Sequence, residues 1–314
     1  MDDHLCFKYR LFDVINDIGT YKDFHNLLFQ GSATSYEWII WYHKNISNLK
    51  KWSRGTRTYA VFDANKLVGV WSVEPKVLKV DQGEIKVGRC FAVGIHPDYR
   101  RHGLFVSLSK FAIQQEKELG EYEYIIGFPQ KGRTVIGGHF KAGWEQVQDI
   151  EIYSCKITPK LTGLSLYHAN LIRDFNEVAL LQQTYNGLIE TAAYKNLRWL
   201  KHPDHQYLAY SNKNAYIILK QYSNFCHIID MEGNLTDSIN LLLVVRSLAV
   251  KHGWIEINTW CADNDINREA YVKAGFICGS EFALPVNMIS VRINACETLS
   301  LNLCNLNMGI EEGY

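Results

Sequence analysis

The sequence predicts a mixed α/β protein made of two similar units in tandem. Short apolar runs typical of strands alternate along the chain with longer segments of helical periodicity. The segment 139–144, His-Phe-Lys-Ala-Gly-Trp, returns as Tyr-Val-Lys-Ala-Gly-Phe at 271–276. The glycines that end the two main helix patterns, Gly120 and Gly253, are separated by almost the same length of chain as the two Lys-Ala-Gly triplets. A chain of 314 residues has room for two such units.

The first unit begins with a predicted β-hairpin. Apolar residues flank the turn Asp63-Ala-Asn-Lys66, so strands are expected over about residues 59–62 and 67–73. A further strand ends near Ile95, before Pro97. Helical spacing then predicts a helix from Leu104 to Leu119 that stops at Gly120.

The second unit repeats this order. A strand is expected at 225–231, a helix beginning at an Asp237 or Ser238 N-cap and ending at Gly253, and a strand at 254–260. A weaker echo pairs 36–41 with 197–203. Proline and glycine interrupt the pattern over 156–163, which places the boundary between predicted units 1–158 and 159–314.

Composition favours a cytoplasmic protein with no metal site. Formal net charge is zero, so broad nucleic-acid binding has no electrostatic basis. The eight cysteines show no zinc spacing. The start carries no signal-peptide pattern, and the longest apolar run, 239–245, is too short to cross a bilayer.

The turn Arg100-Arg101-His102-Gly103, followed by the helix from Leu104, predicts an anion site. A helix N-terminus exposes backbone N–H donors and the positive end of the helix dipole. Gly103 has no Cβ to keep an anion away from the backbone, and the arginines add positive charge. The expected ligand is a phosphate or pyrophosphate.

This order of strand, Pro-x-Tyr-Arg-Arg-x-Gly and helix resembles the acyl-CoA-binding motif of the GNAT N-acyltransferase superfamily, Arg/Gln-x-x-Gly-x-Gly/Ala. Arg100 and Gly103 match the pattern, whereas Phe105 stands where the family has a small residue. The resemblance covers roughly residues 55–150, because the hairpin stands before this turn and Lys-Ala-Gly-Trp144 stands after it, in the order that the family has.

The resemblance implies an enzyme that uses acyl-CoA as co-substrate and no metal. It implies that the pantetheine arm runs along Val93 and Ile95, and that Gln130 stands where relatives carry an asparagine that touches CoA. His139 occupies the position of the tyrosine that protonates the leaving thiolate in many members, and is the first candidate acid or base. It could equally be a packing residue. Glu74 is a second candidate base.

The second unit is expected to lie on the acceptor side. Its Glu232-Gly-Asn-Leu-Thr-Asp237 turn is acidic and unsuited to pyrophosphate. Trp71, Trp199 and His202 are candidate acceptor contacts. The layout resembles bacterial enzymes that acylate a dTDP-linked 3-amino-3,6-dideoxyhexose for surface polysaccharides, which implies a nucleotide-sugar substrate and acetyl-CoA or hydroxybutanoyl-CoA as donor.

The sequence leaves other functions open. They are acylation of a peptide, lipid or small-molecule amine, aminoacyl-tRNA-dependent transfer by a tandem GNAT protein, and CoA binding without catalysis. The pyrophosphate turn and the neutral charge disfavour the tRNA-dependent class. Homo-oligomer formation is also left open.

Overall fold

The structure is a computed structural model that describes residues 7–29, 34–46, 55–81, 83–158, 168–178, 186–294, 301, 303–306 and 308. The elements of the first half are β1 Phe7–Phe12, α1 Ile18–Leu28, α2 Tyr36–Ile40, a π-helix Trp41–Ile46, β2 Arg57–Asp63, β3 Lys66–Val80, β4 Gly83–Ile95, a 3-10 helix Pro97–Tyr99, α3 Leu104–Leu119, β5 Tyr124–Gly127, α4 Val135–Lys141 and β6 Glu145–Lys156.

The second half repeats the order of sheet strands, long helix, strand and short helix. Its elements are β7 Asn170–Leu171, a 3-10 helix Phe175–Glu177, β8 Gly187–Leu188, α5 Ala192–Lys195, a π-helix Asn196–Leu200, β9 Tyr207–Ser211, β10 Ala215–Gln221, β11 Phe225–Gly233, α6 Leu235–His252, β12 Glu256–Ala262, α7 Arg268–Lys273, β13 Ile277–Cys278 and β14 Val286–Arg292. The predicted mixed α/β fold with two similar units is confirmed. The predicted boundary after residue 158 stays a prediction, because residues 159–167 lie outside the described part of the chain.

One mixed sheet joins the two halves. Its strand order is β1-β2-β3-β4-β5-β14-β6-β12-β11-β10-β9-β7. The last strand, β14, lies between β5 and β6 of the first half and is antiparallel to both. The far end of β6 is antiparallel to β12 of the second half. Each half therefore contributes a strand to the sheet of the other.

The helices that follow the splayed strands begin and end at local signals. Gly103 precedes α3 with a φ of 75°, and Gly120 ends it with a φ of 68°, both in the left-handed region that favours glycine. In the second half Gly253 ends α6 in the same way. The predicted N-cap was wrong. Asn234 caps α6 by accepting a hydrogen bond from the backbone N–H of Asp237, so the helix starts two residues before Asp237.

The weaker echo has a structural basis with a different alignment. Ser35 and Thr191 both cap a short helix by accepting a backbone N–H, from Trp38 and Tyr194 respectively. Both helices continue into a π-helix. Aligning the caps pairs Tyr42 with Arg198, whereas the sequence echo had paired the segments 36–41 and 197–203.

Apolar packing covers both faces of the sheet. One core lies under α3 and includes Leu108, Ala112 and Ile289. Another core contains residues of both halves, among them Ile126 and Trp199. No helix in the described ranges is long and apolar enough to cross a membrane.

Candidate functional site

A cleft opens in the first half where β4 and β5 part. Their parallel pairing runs only from Val87 opposite Tyr124 to Arg89 opposite Ile126. Beyond it the strands diverge around a cavity of about 170 Å³, whose lining includes Phe91, Val93, Phe128, Val135 and His139. Strand β4 also has a bulge opposite Trp71, with Ala92 at a φ of 48°. This edge of β4 is not paired with β5 and can serve a ligand that carries amide groups.

The predicted anion turn borders a larger space of about 750 Å³. Its lining includes Val93, Ile95, Arg100, Arg101, Gly103, Leu104 and Phe105, whose binding of CoA stays a prediction, together with Lys141 of α4. No side chain caps α3, and a Cβ on Gly103 would meet no atom within 4 Å. The helix N-terminus is therefore open to a ligand. His102 is exposed on the turn and is not part of the lining.

Phe105 departs from the family pattern without disturbing the turn. Its ring packs where a Cβ on Gly138 would lie, 2.7 Å from its Cδ1. The same ring meets the imidazole of His139 edge to face, with centroids 5.0 Å apart. The missing side chain at Gly138 thus makes room for the large residue at 105.

His139 lies in the wall of the cleft between two aromatic rings. Besides Phe105, Trp144 contacts it at 4.9 Å. The side chain is buried, and its Nδ1 has no hydrogen-bond partner. Burial lowers the pKa of His139 to about 4, so the imidazole is neutral near pH 7.

Gln130 and Glu74 lie away from the cleft lining. Gln130 is exposed, and its Oε1 accepts a hydrogen bond from Arg133 Nε at 3.1 Å. Glu74 is buried in a charged network: its Oε2 accepts from Tyr42 Oη at 2.6 Å and from Arg89 Nε at 3.1 Å. Its Oε1 lies 3.1 Å from Lys76 Nζ. A base role for Glu74 stays a prediction, and here its oxygens already accept hydrogen bonds.

The network around Glu74 adjoins the cleft through one ring. Phe91, which lines the cavity, packs against Tyr42 with ring centroids 5.3 Å apart. The guanidinium carbon of Arg89 lies 4.7 Å from the centroid of the Phe91 ring. Tyr194 of the second half donates to Glu74 Oε1 at 3.3 Å. The second half therefore reaches the groups behind the cleft.

The three predicted acceptor contacts separate in the structure. Trp71 is fully buried under α3, so direct contact with an acceptor would require the core to open. Trp199 is buried at the junction of the halves. His202 lies at the same junction, 4.7 Å from the ring of Trp41. The acceptor roles of all three stay predictions.

The second half closes its corresponding helix end. Asn234 Oδ1 accepts from the backbone N–H of Asp237 at 2.9 Å, and its Nδ2 donates to the Asp237 carboxylate at 2.7 Å. Asn214 also donates to that carboxylate, at 3.0 Å. A carboxylate and a side-chain cap occupy the place that α3 leaves open.

Sequence reasoning missed Lys141, Thr134 and Gly138 as parts of the larger space. Lys141 belongs to the Lys-Ala-Gly triplet, which drew attention only as a repeat. The space forms because α4 faces the start of α3 across the cleft, a relation that no local pattern contains. Among the described residues, no group of His, Cys, Asp and Glu is arranged to hold a metal ion.

Residues 15–146 match the Acetyltransferase (GNAT) domain family. A comparison with curated protein sequences found no significant match. Over residues 15–146 the chain is therefore similar to acetyltransferase domains of the GNAT type.

Solved structures show the same fold over nearly the whole chain. A probable N-acyltransferase from Enterococcus faecalis V583 has a TM-score of 0.66 at 12% identity, over 92% of this chain and 73% of that one. Saccharomyces cerevisiae N-myristoyltransferase with bound myristoyl-CoA has a TM-score of 0.62 at 11% identity, over 90% and 82%. A tandem GNAT protein from the clavulanic acid biosynthesis pathway has a TM-score of 0.60 at 11% identity, over 93% and 100%. The whole chain thus has the fold of two GNAT-like units.

Proposed function

We propose that this protein transfers a short acyl group from acyl-CoA to the amino group of a nucleotide-linked sugar, of the dTDP-3-amino-3,6-dideoxyhexose kind. The observation that carries the acyl-CoA part is the uncapped start of α3. It opens onto the larger space beside Arg100, Arg101 and Lys141, which suits a pyrophosphate. We place the reaction in the cytoplasm, in bacterial surface-polysaccharide synthesis.

The two cavities give the donor a continuous path. Val93 and Val135 line both the larger space and the small cavity between the strands. A pantetheine arm running from α3 along β4 would bring the thioester beside His139. The small cavity is almost wholly apolar, which favours a short acyl group such as acetyl. A hydroxybutanoyl group would need a partner for its hydroxyl, and the polar side chains of the lining are His139 and the thiol of Cys90.

The amine attacks the thioester carbonyl, and the CoA thiolate leaves and takes up a proton. The unpaired edge of β4 can hold the amide groups of the donor and orient the carbonyl. Neutral His139 presents one N–H donor and one acceptor nitrogen, so it can hydrogen-bond the departing sulfur or relay a proton from the amine. This role does not require a carboxylate base.

The acceptor is proposed to approach from the junction of the two halves. Tyr42, Glu74 and Arg89 lie directly behind Phe91, and Tyr194 of the second half joins them there. A polar acceptor fits this face better than a lipid would. The tandem arrangement also suits a substrate with two parts, because one unit can bind the donor and the other the acceptor.

Release of free thiol tests the proposal. Acetyl-CoA and hydroxybutanoyl-CoA would be offered with a dTDP-linked amino sugar, with the corresponding hydroxy sugar nucleotide as matched control, and with a lysine peptide. We expect thiol release only with the amino sugar nucleotide. Turnover of the peptide with no turnover of any amino sugar nucleotide would reject the acceptor class while leaving the acyltransferase class intact.

A further inference from the structure

The junction between the halves contains a buried arginine, Arg198, whose cation interacts electrostatically with the buried Glu74 carboxylate. Arg198 is 2% exposed, yet its Nη1 has no hydrogen-bond partner. Within the described part of the chain no carboxylate forms a direct ion pair with it. Burying the Nη1 group without an acceptor is costly, because its N–H donors lose water and gain no partner.

Two tryptophans whose indole N–H groups have no hydrogen-bond partner pack against the same guanidinium. The ring centroids of Trp199 and Trp41 lie 4.6 Å and 5.5 Å from the Arg198 guanidinium carbon. The indole N–H of each tryptophan is buried without a hydrogen-bond partner. The rings stabilise the cation through their faces, but they supply no acceptor for its N–H groups. One region therefore has three unmatched donors and a positive charge.

A fourth donor follows from the hydrogen bonds of His202, whose ring lies 4.7 Å from that of Trp41. Its Nδ1 accepts the backbone N–H groups of Asp204 at 3.1 Å and His205 at 3.0 Å. An Nδ1 that accepts carries no proton, so in the neutral ring the proton is on Nε2. His202 thus also presents an N–H at this junction.

We propose that Arg198, Trp41, Trp199 and His202 form an anion site for the acceptor, which takes a terminal phosphate or carboxylate group. The proposal rests on the function proposed above and extends it, since both halves supply donors to one substrate group. Trp41 comes from the first half and the other three residues from the second. The site adjoins Tyr42, whose ring lies 5.6 Å from the Arg198 guanidinium, and hence the wall of the catalytic cleft.

The alternative is that Arg198 only fastens the two halves together. The two roles predict opposite effects of Arg198→Met in the absence of ligand. Replacing a buried charge that lacks a direct ion pair by an apolar side chain of similar length should leave the melting temperature unchanged or raise it. If the cation instead holds the two halves together, Arg198→Met should lower the melting temperature.

The test measures the melting temperature of the full chain saturated with CoA, so that the α3 site is filled, on addition of inorganic pyrophosphate, dTDP or succinate. We expect pyrophosphate and dTDP to raise the melting temperature of the wild type, and Arg198→Met to abolish the rise. The matched control is Lys201→Met, which removes an exposed charge nearby and should keep the rise. Trp199→Phe keeps a ring, removes one donor, and should weaken anion binding several-fold.

Each outcome bears on the proposal. Stabilisation by succinate alone would keep the anion site but assign it to a carboxylate. If anions raise the melting temperature of Arg198→Met as much as that of the wild type, the site is overturned. Should Arg198→Met fail to fold, the same result in Trp199→Phe would overturn it. Amino-sugar acylation that persists with an unchanged KM in Arg198→Met would reject the site and leave the proposed function standing. Anion binding by a wild-type protein that acylates no amine would support the anion site and reject the proposed function.

Discussion

At the scale of single residues, Gly103 carries the claim that α3 binds a pyrophosphate. Its φ of 75° and the empty space beyond its Cα allow the backbone donors to meet a ligand directly. Both properties were predictable from the sequence, because a turn of this kind is local. Burial was not: nothing in the pattern around Trp71 or Glu74 distinguishes a residue in a core or a charge network from one that faces a substrate.

We expect Gly103→Val to raise the dissociation constant of CoA at least tenfold, about 1.4 kcal/mol, because the branched side chain fills the space for the phosphates. The matched control is Gly253→Val in the second half, with a φ of 72° and equally open space. Both variants should lose similar stability from backbone strain, about 1–3 kcal/mol. Equal CoA affinity in the two variants would show that the turn does not bind CoA.

His139→Phe should lower the maximal rate about a hundredfold if the imidazole takes part in proton transfer. Phenylalanine keeps an aromatic ring between Phe105 and Trp144, so packing and CoA affinity should change little. Steady-state kinetics with calorimetric CoA binding separates the two effects. A rate loss of less than fivefold would assign His139 to packing.

The buried histidines predict a loss of stability in acid. Burial lowers the pKa of both His139 and His25 from 6.5 to about 4. Between these pH values the unfolded chain binds more protons than the folded one. The contribution of the two histidines to the free energy of unfolding is therefore fully present above pH 6.5 and is lost as the pH falls towards 4. Melting temperatures from pH 7 to pH 4 should fall less steeply in His139→Phe. An identical slope in the variant would contradict the lowered pKa.

At the scale of elements, the sequence predicts helix and strand ends that local residues determine, and it does not predict pairings between distant strands. The hairpin at Asp63–Lys66 and the helix Leu104–Leu119 were predictable because turn and capping residues mark their ends. The N-cap of α6 was misplaced because Asn234 and Asp237 both suit an N-cap. The position of β14 was not predictable, since it depends on pairing with strands more than a hundred residues away.

The exchange of β6 and β14 predicts that the first half does not fold alone. Residues 1–158 lack Met288 and Ile289 of β14, both fully buried between β5 and β6. We expect this fragment to show no cooperative thermal unfolding and no CoA binding. The full chain cut by a protease at a site inserted near residue 160 should remain associated and bind CoA. A fragment 1–158 that binds CoA like the full chain would refute the strand exchange as a folding requirement.

At the scale of the whole molecule, two similar units have diverged in their helix N-termini. The first leaves α3 uncapped beside two arginines, and the second covers α6 with Asn234 and Asp237. The sequence predicted this difference, because arginines and carboxylates stand at equivalent places in the repeat. It did not predict that the halves share one sheet, or that unmatched donors from both meet around Arg198.

The most direct test of the account is calorimetric titration of the full chain with CoA. We expect one CoA site per chain, which is lost or weakened at least tenfold in Gly103→Val and retained when Asn234 and Asp237 are replaced by alanine. Two equivalent sites per chain, or a single site that survives Gly103→Val and disappears in the Asn234/Asp237 variant, would contradict it.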